Sequence, residues 1–125
     1  MKFLFLGDVT LDRPFKCSDE VSQIVKDYYC IANFEAAVTS QGIQSTKAGR
    51  WIRSEVEHLP SLAEHVDAVT IANNHTMDFG EEGLYTTKTE LENIGMSSFG
   101  AGRNRAEAFE PHRIGDCYIF SVCEN

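Results

Sequence analysis

Four side chains able to hold a metal ion or move a proton fall close together at Asn73, Asn74, His75 and Asp78. Imidazole is the side chain that changes charge near pH 7. Amide and carboxylate oxygens are hard donors that suit divalent cations. Comparable groups stand upstream. Asp8 follows Gly7 at the end of one apolar run, and Asn33 and Glu35 follow another. In extended chain Asn33 and Glu35, two apart, point the same way. The chemistry on offer is metal coordination or proton movement by whichever of these groups converge. Each residue also has a plainer reading. Asp8 suits a cap or turn, Asn33 a turn amide, and Asn73 and Asn74 the cap of a strand–helix turn. Asp78 either orients His75 or caps the helix that follows, and capping is the favoured reading. Arg13 and Arg103 could meet an anionic group. His58, His65 and His112 read as surface or structural residues.

These groups need strands to deliver them. Residues 2–6 and 29–32 are short apolar runs, and Asp67 opens a third in which Val69 and Ile71 alternate with smaller residues. Each run ends in an acid or amide. A helix is expected over 19–27, with Ser18 as its N-cap and Asp19 and Glu20 in the first turn. Pro60 suits a first helical turn, with Leu62, Ala63 and Val66 inward. The spacing of Leu84, Leu91 and Ile94 predicts a helix over 80–93 closed by Gly95. A strand over 97–99, a glycine-rich turn and a short helix over 105–108 follow. Gly115-Asp116 marks a hairpin between Arg113-Ile114 and a core strand beginning at Cys117. Trp51 to Arg53 suits a short strand, and residues 40–50 read as a surface loop. The alternation of strand and helix means an α/β fold with a parallel sheet. Carboxyl ends of parallel strands share one edge, so Asp8, Asn33, Glu35, Asn74 and His75 should converge there.

Size and composition narrow the class. A chain of 125 residues is one domain, 1–125, long enough for a real core. A net charge of -8 argues against nucleic acid and anionic membranes as partners. No apolar run approaches the roughly 20 residues of a membrane span, and no leader precedes the first strand, so the chain reads as cytoplasmic. Cys17, Cys30, Cys117 and Cys123 form no Cys-x-x-Cys pair, which argues against a zinc knuckle. Cys30 and Cys123 read as small buried hydrophobes.

Gly7-Asp8-Val9, Asn33-Phe34-Glu35, the block Ala72-Asn73-Asn74-His75-Thr76-Met77-Asp78-Phe79-Gly80, and Gly100-Ala101-Gly102-Arg103-Asn104 with Glu107-Ala108 occur in that order. Together they resemble the CapA family of poly-γ-glutamate capsule biosynthesis proteins, relatives of calcineurin-like metallophosphoesterases. The Ala-Asn-Asn-His-Thr-x-Asp-x-Gly block is the specific part. The resemblance implies a metallophosphoesterase-like layered sheet with flanking helices, of which this chain is the amino-terminal half. It implies a role in making or exporting poly-γ-glutamate and a metal-dependent phosphoester hydrolase site. In that site Asp8, Glu35 and Asn74 are metal ligands and His75 is catalytic. Asn33, Asn73, Arg13 and Arg103 meet substrate, and Asp78 is a support. The implied cofactor is a divalent metal (Mn, Fe, Zn or Mg), two in a complete site. The implied partner is a small anionic substrate or poly-γ-glutamate. Two departures weaken the enzymatic case. Thr10 stands where a ligand histidine is common, and no His-x-His pair occurs. Within the specific block, Asn73 stands where glycine is usual. The rival expectation is a non-catalytic accessory or anionic-polymer-binding protein on the same fold. An unfinished sheet edge would also invite self-association.

Overall fold

A computed structural model describes residues 1–39, 44 and 49–124. Four parallel strands, β1 (Phe3–Val9), β2 (Tyr29–Phe34), β3 (Ala68–Thr70) and β4 (Ser97–Phe99), form one sheet in chain order. Helix α1 (Asp19–Val25) connects β1 to β2. A 3-10 turn over Val56–His58 and helix α2 (Leu59–Ala63) precede β3, and α3 (Gly80–Asn93) connects β3 to β4. Crossovers of one hand, taken without reversal of strand order, lay successive helices on the same sheet face. The core shows this directly. Ala32, Phe34 and Val69 pack on that face with Leu59 and Leu62 of α2 and Leu84 and Leu91 of α3. Burying each large apolar side chain there contributes about 1.5–3 kcal/mol.

The opposite face is covered differently. After the short helix α4 (Arg105–Ala108), strands β5 (His112–Ile114) and β6 (Cys117–Ile119) form an antiparallel hairpin. Ile119 reaches the smaller cluster of Ile31, Ala68 and Phe99. His112 stacks on Phe99, with ring centroids 5.1 Å apart, and its Nε2 lies 2.9 Å from the Tyr29 hydroxyl. Burial holds the His112 ring below its ordinary value and, with the Asp67 charge adding to it, holds the Tyr29 hydroxyl above. Phe5, at the far side of this face, remains 64% exposed.

The expected elements are present, with five adjustments. Helix α1 ends at Val25, two residues short of the expected 27. Strand one continues to Val9 and strand two to Phe34, so Asp8 and Asn33 lie within strands rather than beyond them. Ala63 is exposed; only Leu62 and Val66 of that expected trio are buried. Trp51 to Arg53 contributes one parallel bridge, Ala37 to Arg53, in place of a strand. The core strand expected from Cys117 ends at Ile119, and Tyr118, Phe120, Val122 and Cys123 are exposed. Pleating explains the last point. Ile119 turns inward and Ser121 bonds the Thr70 hydroxyl, so the residues between them face out. Most of the expected loop, residues 40–43 and 45–48, lies outside the described residues. Among those described, no helix is long and apolar enough to cross a membrane.

Candidate functional site

The site begins with an irregularity in β1. Phe5 pairs with Ile31 and Asp8 with Asn33, so three steps along β1 match two along β2. One extra residue reverses the pleat. Without it Asp8 would stand opposite Phe34, on the helix-covered face. With it, Asp8 stands beside Asn33, and Asn33 Nδ2 donates to Asp8 Oδ1 at 2.7 Å. Gly7 lies within this irregular stretch.

The chain of hydrogen bonds then crosses to β3. Asn73 Nδ2 donates to Asn33 Oδ1 at 3.1 Å and to the Phe34 carbonyl at 2.9 Å. Asn73 Oδ1 accepts from the His75 backbone N–H at 3.0 Å. Thr76 Oγ1 donates to the Ile71 carbonyl, closing the turn from the other side. Asn73 thus sews the β2 end to the loop that carries His75. Both ends of its amide are used, which is why a side chain stands where a small glycine would leave the loop unsewn.

His75 hangs between two carboxylates. Its Nδ1 lies 2.8 Å from Asp78 Oδ2, and its Nε2 lies 3.7 Å from Glu35 Oε1. Asp78 is fully buried, and its Oδ2 also accepts the Ile52 backbone N–H at 2.7 Å. An ionised carboxylate only accepts, so the His75 proton sits on Nδ1 and the ring presents Nε2 to Glu35. The side chains of His75 and Glu35 are 12% and 22% exposed. The pair therefore lies at the rim of the core, within reach of a ligand at the sheet edge. Asp78 orients the imidazole and does not cap α3. Phe79 holds the N-cap position and makes no side-chain cap bond. The physical reason is burial. A carboxylate in the core is stabilised by two N–H donors, whereas a capping side chain would turn toward the open helix end.

Asp8, Asn33, Glu35, Asn73, His75 and Asp78 thus form one connected group at the carboxyl ends of β1, β2 and β3. Asn74 stands in the same loop with an exposed side chain. The two arginines lie elsewhere. Arg13 is 82% exposed and pairs with Asp12 at 3.3 Å. Arg103 lies over the Tyr85 ring on α3, 5.2 Å from its centroid. Sequence reasoning did not find the Ile52 N–H that holds Asp78, because a backbone donor has no residue-type signature. Nor did it find the clamp made by Asn73, although Asn-Asn before histidine was a visible signal.

Asp8, Glu35 and Asn74 offer oxygen donors, the type that hard divalent cations take. Among the described residues, no group of three or more His, Cys, Asp or Glu side chains is placed to hold a metal ion. Asp8 and Glu35 lie in the connected group, whereas Asn74 stands exposed in the loop beside it.

The family model described as bacterial capsule synthesis protein PGA_cap matches residues 2–117. Two curated proteins of Mycobacterium tuberculosis, from strains CDC 1551 and H37Rv, are each named a probable polyglutamine synthesis accessory protein. Each is 36% identical over 76 residues, covering 58% of this chain. That match spans 20% of the relatives' length.

Proposed function

The chain belongs to the bacterial capsule synthesis protein family, and from that premise we propose that it serves in an accessory role in the synthesis of a capsular polyglutamate. We further propose that it does so through a hydrolase-type site acting on a phosphoester. The observation that carries the second step is the His75 arrangement. A buried carboxylate fixes one ring nitrogen, so the other is held in one orientation at an accessible edge. Such a ring donates a proton to a departing oxygen when charged and takes one when neutral. Asp78 holds the ring through Nδ1 and prevents it from turning. Asn73 sets the height of the loop through the His75 N–H. Asp8, Glu35 and Asn74 would hold the divalent cation, which when bound supplies Lewis-acid polarisation of a phosphoryl oxygen. Asn33 donates to Asp8 Oδ1 and so fixes the carboxylate that would hold such a cation.

A second reading is a non-catalytic accessory protein that binds a cation or an anionic polymer on this fold. Thr10, standing where a ligand histidine is common, favours it. One set of measurements separates the two. The full chain is stripped with chelator and reconstituted with Mn, Fe, Zn or Mg. Bound metal and hydrolysis of a generic phosphate ester are then followed for the parent chain, Asp8→Ala, Glu35→Ala and His75→Asn. The hydrolase reading expects metal uptake that Asp8→Ala and Glu35→Ala abolish, with turnover that His75→Asn lowers by about 10²–10⁴-fold while metal stays bound. Metal uptake without turnover supports the accessory reading, and no uptake at all removes the cation from both.

A further inference from the structure

We propose that Ser121, on the segment that follows β6, is a positioning residue for the His75 loop and acts through the Thr70 hydroxyl. The docked hairpin thereby fixes the point at which β3 gives way to that loop. The consequence for turnover rests on the hydrolase reading; the placement itself holds under either reading and is measured without turnover.

The loop leaves the sheet at Ala72. Ile71 still donates its N–H to the Phe99 carbonyl, at 2.9 Å. The Ala72 N–H instead meets the Thr70 hydroxyl, at 3.2 Å. Thr70 Oγ1 in turn donates to Ser121 Oγ at 2.5 Å. A hydroxyl has one proton and two lone pairs. With the proton committed to Ser121, a lone pair is left for the Ala72 N–H. The next residue is Asn73, whose Oδ1 takes the His75 N–H at 3.0 Å. One line of bonds therefore runs from the hairpin segment through Thr70 to the start of the loop, and the Asn73 clamp carries it to His75.

The surroundings aim Ser121 at this point. Ile119 lies against Ile31, Ala68 and Phe99, and His112 fixes the other strand of the hairpin on Phe99 and the Tyr29 hydroxyl. Two residues beyond Ile119, the same side of the extended chain brings Ser121 against the sheet. Thr70 pairs in register with Asn33, and Asn33 with Asp8, so the Thr70 hydroxyl stands in one row with the strand-end group. Gly100 passes close to both partners, at φ +95°. A Cβ there would lie 2.8 Å from Ala72 Cβ and 3.2 Å from Ser121 Cβ, so a side chain would push the two segments apart. The first glycine of the Gly-Ala-Gly-Arg-Asn motif thus lets the hairpin segment come within reach of the end of β3.

The test is amide hydrogen exchange in the full chain, labelled with ¹⁵N, read at Ala72 and His75 and, as a monitor of the whole fold, at Leu91 of α3. Thr70→Val keeps the shape and removes the hydroxyl. It should speed exchange at Ala72 and His75 by about three- to tenfold more than at Leu91. Thr70→Ser keeps the hydroxyl and should stay close to the parent. Ser121→Ala should also speed exchange at His75. Because Ser121 acts through Thr70, adding Ser121→Ala to Thr70→Val should change nothing further at His75. The proposal is overturned if His75 exchange does not respond to Ser121→Ala, or if Leu91 speeds up as much, which would mean general destabilisation. It is also overturned if the double variant multiplies the two single effects, or if Thr70→Ser behaves as Thr70→Val.

Discussion

Replacing Asp78 with alanine removes the acceptor that two N–H groups share. One is the His75 Nδ1–H at 2.8 Å, and the other is the Ile52 backbone N–H at 2.7 Å. A hydrogen bond to a charged group contributes about 1.5–3 kcal/mol, and a buried donor left unmade costs about 1–3 kcal/mol. Against this stands the relief of a fully buried carboxylate, which is several kcal/mol of desolvation in the parent protein. The net loss should be about 3 kcal/mol, a large share of the roughly 5–15 kcal/mol by which domains are stable. Asp78→Asn keeps the shape and one acceptor, and should cost about half as much. Its amide can also present N–H to the ring, which then carries its proton on Nε2. Urea titration measures the first effect, and ¹⁵N shifts of the His75 ring measure the second. Loss of less than about 1 kcal/mol in Asp78→Ala, with the Nδ1–H tautomer retained, would refute the reasoning. It would mean that the loop, and not the carboxylate, orients the ring.

Two further outcomes follow from packing and burial. A Cβ at Gly83 would sit 2.6 Å from Phe79 Cβ and 3.4 Å from Thr39 Cγ2. Gly83→Ala should therefore destabilise by about 1–3 kcal/mol, reversing the gain of about 0.5–1 kcal/mol usual for this exchange inside a helix; thermal melts of the two chains decide the sign. Burial holds His112 below its ordinary 6.5. Below that pH the unfolded chain takes up a proton that the folded ring refuses, so stability present above pH 6.5 is lost as pH falls. The melting temperature of the parent should drop between pH 7.5 and 5.5 by more than that of His112→Phe, and parallel curves would disprove the assignment.

The alternation of strand and helix was legible because periodicity and capping are local. Ser18 does cap α1, Gly95 does close α3 with φ +76°, and α3 spans Gly80–Asn93 as its spacing predicts. Element ends were less legible. β1 and β2 run on past their apolar residues because backbone pairing, not side-chain type, decides where a strand stops. Asp78 was misjudged as a cap for a related reason. Its carboxylate role depends on Ile52, 26 residues away in the chain.

The sequence by itself determined the α/β class and the family. These follow from residue type and order, which strands and parallel connections translate directly into position. Tertiary structure decided the rest. The irregular step between Phe5 and Asp8 put Asp8 on the same side as Asn33, because one added residue inverts a pleat. Burial of Asp78 beside a backbone donor decided which nitrogen of His75 faces outward. Both outcomes rest on contacts between distant segments, and local sequence carries no record of them.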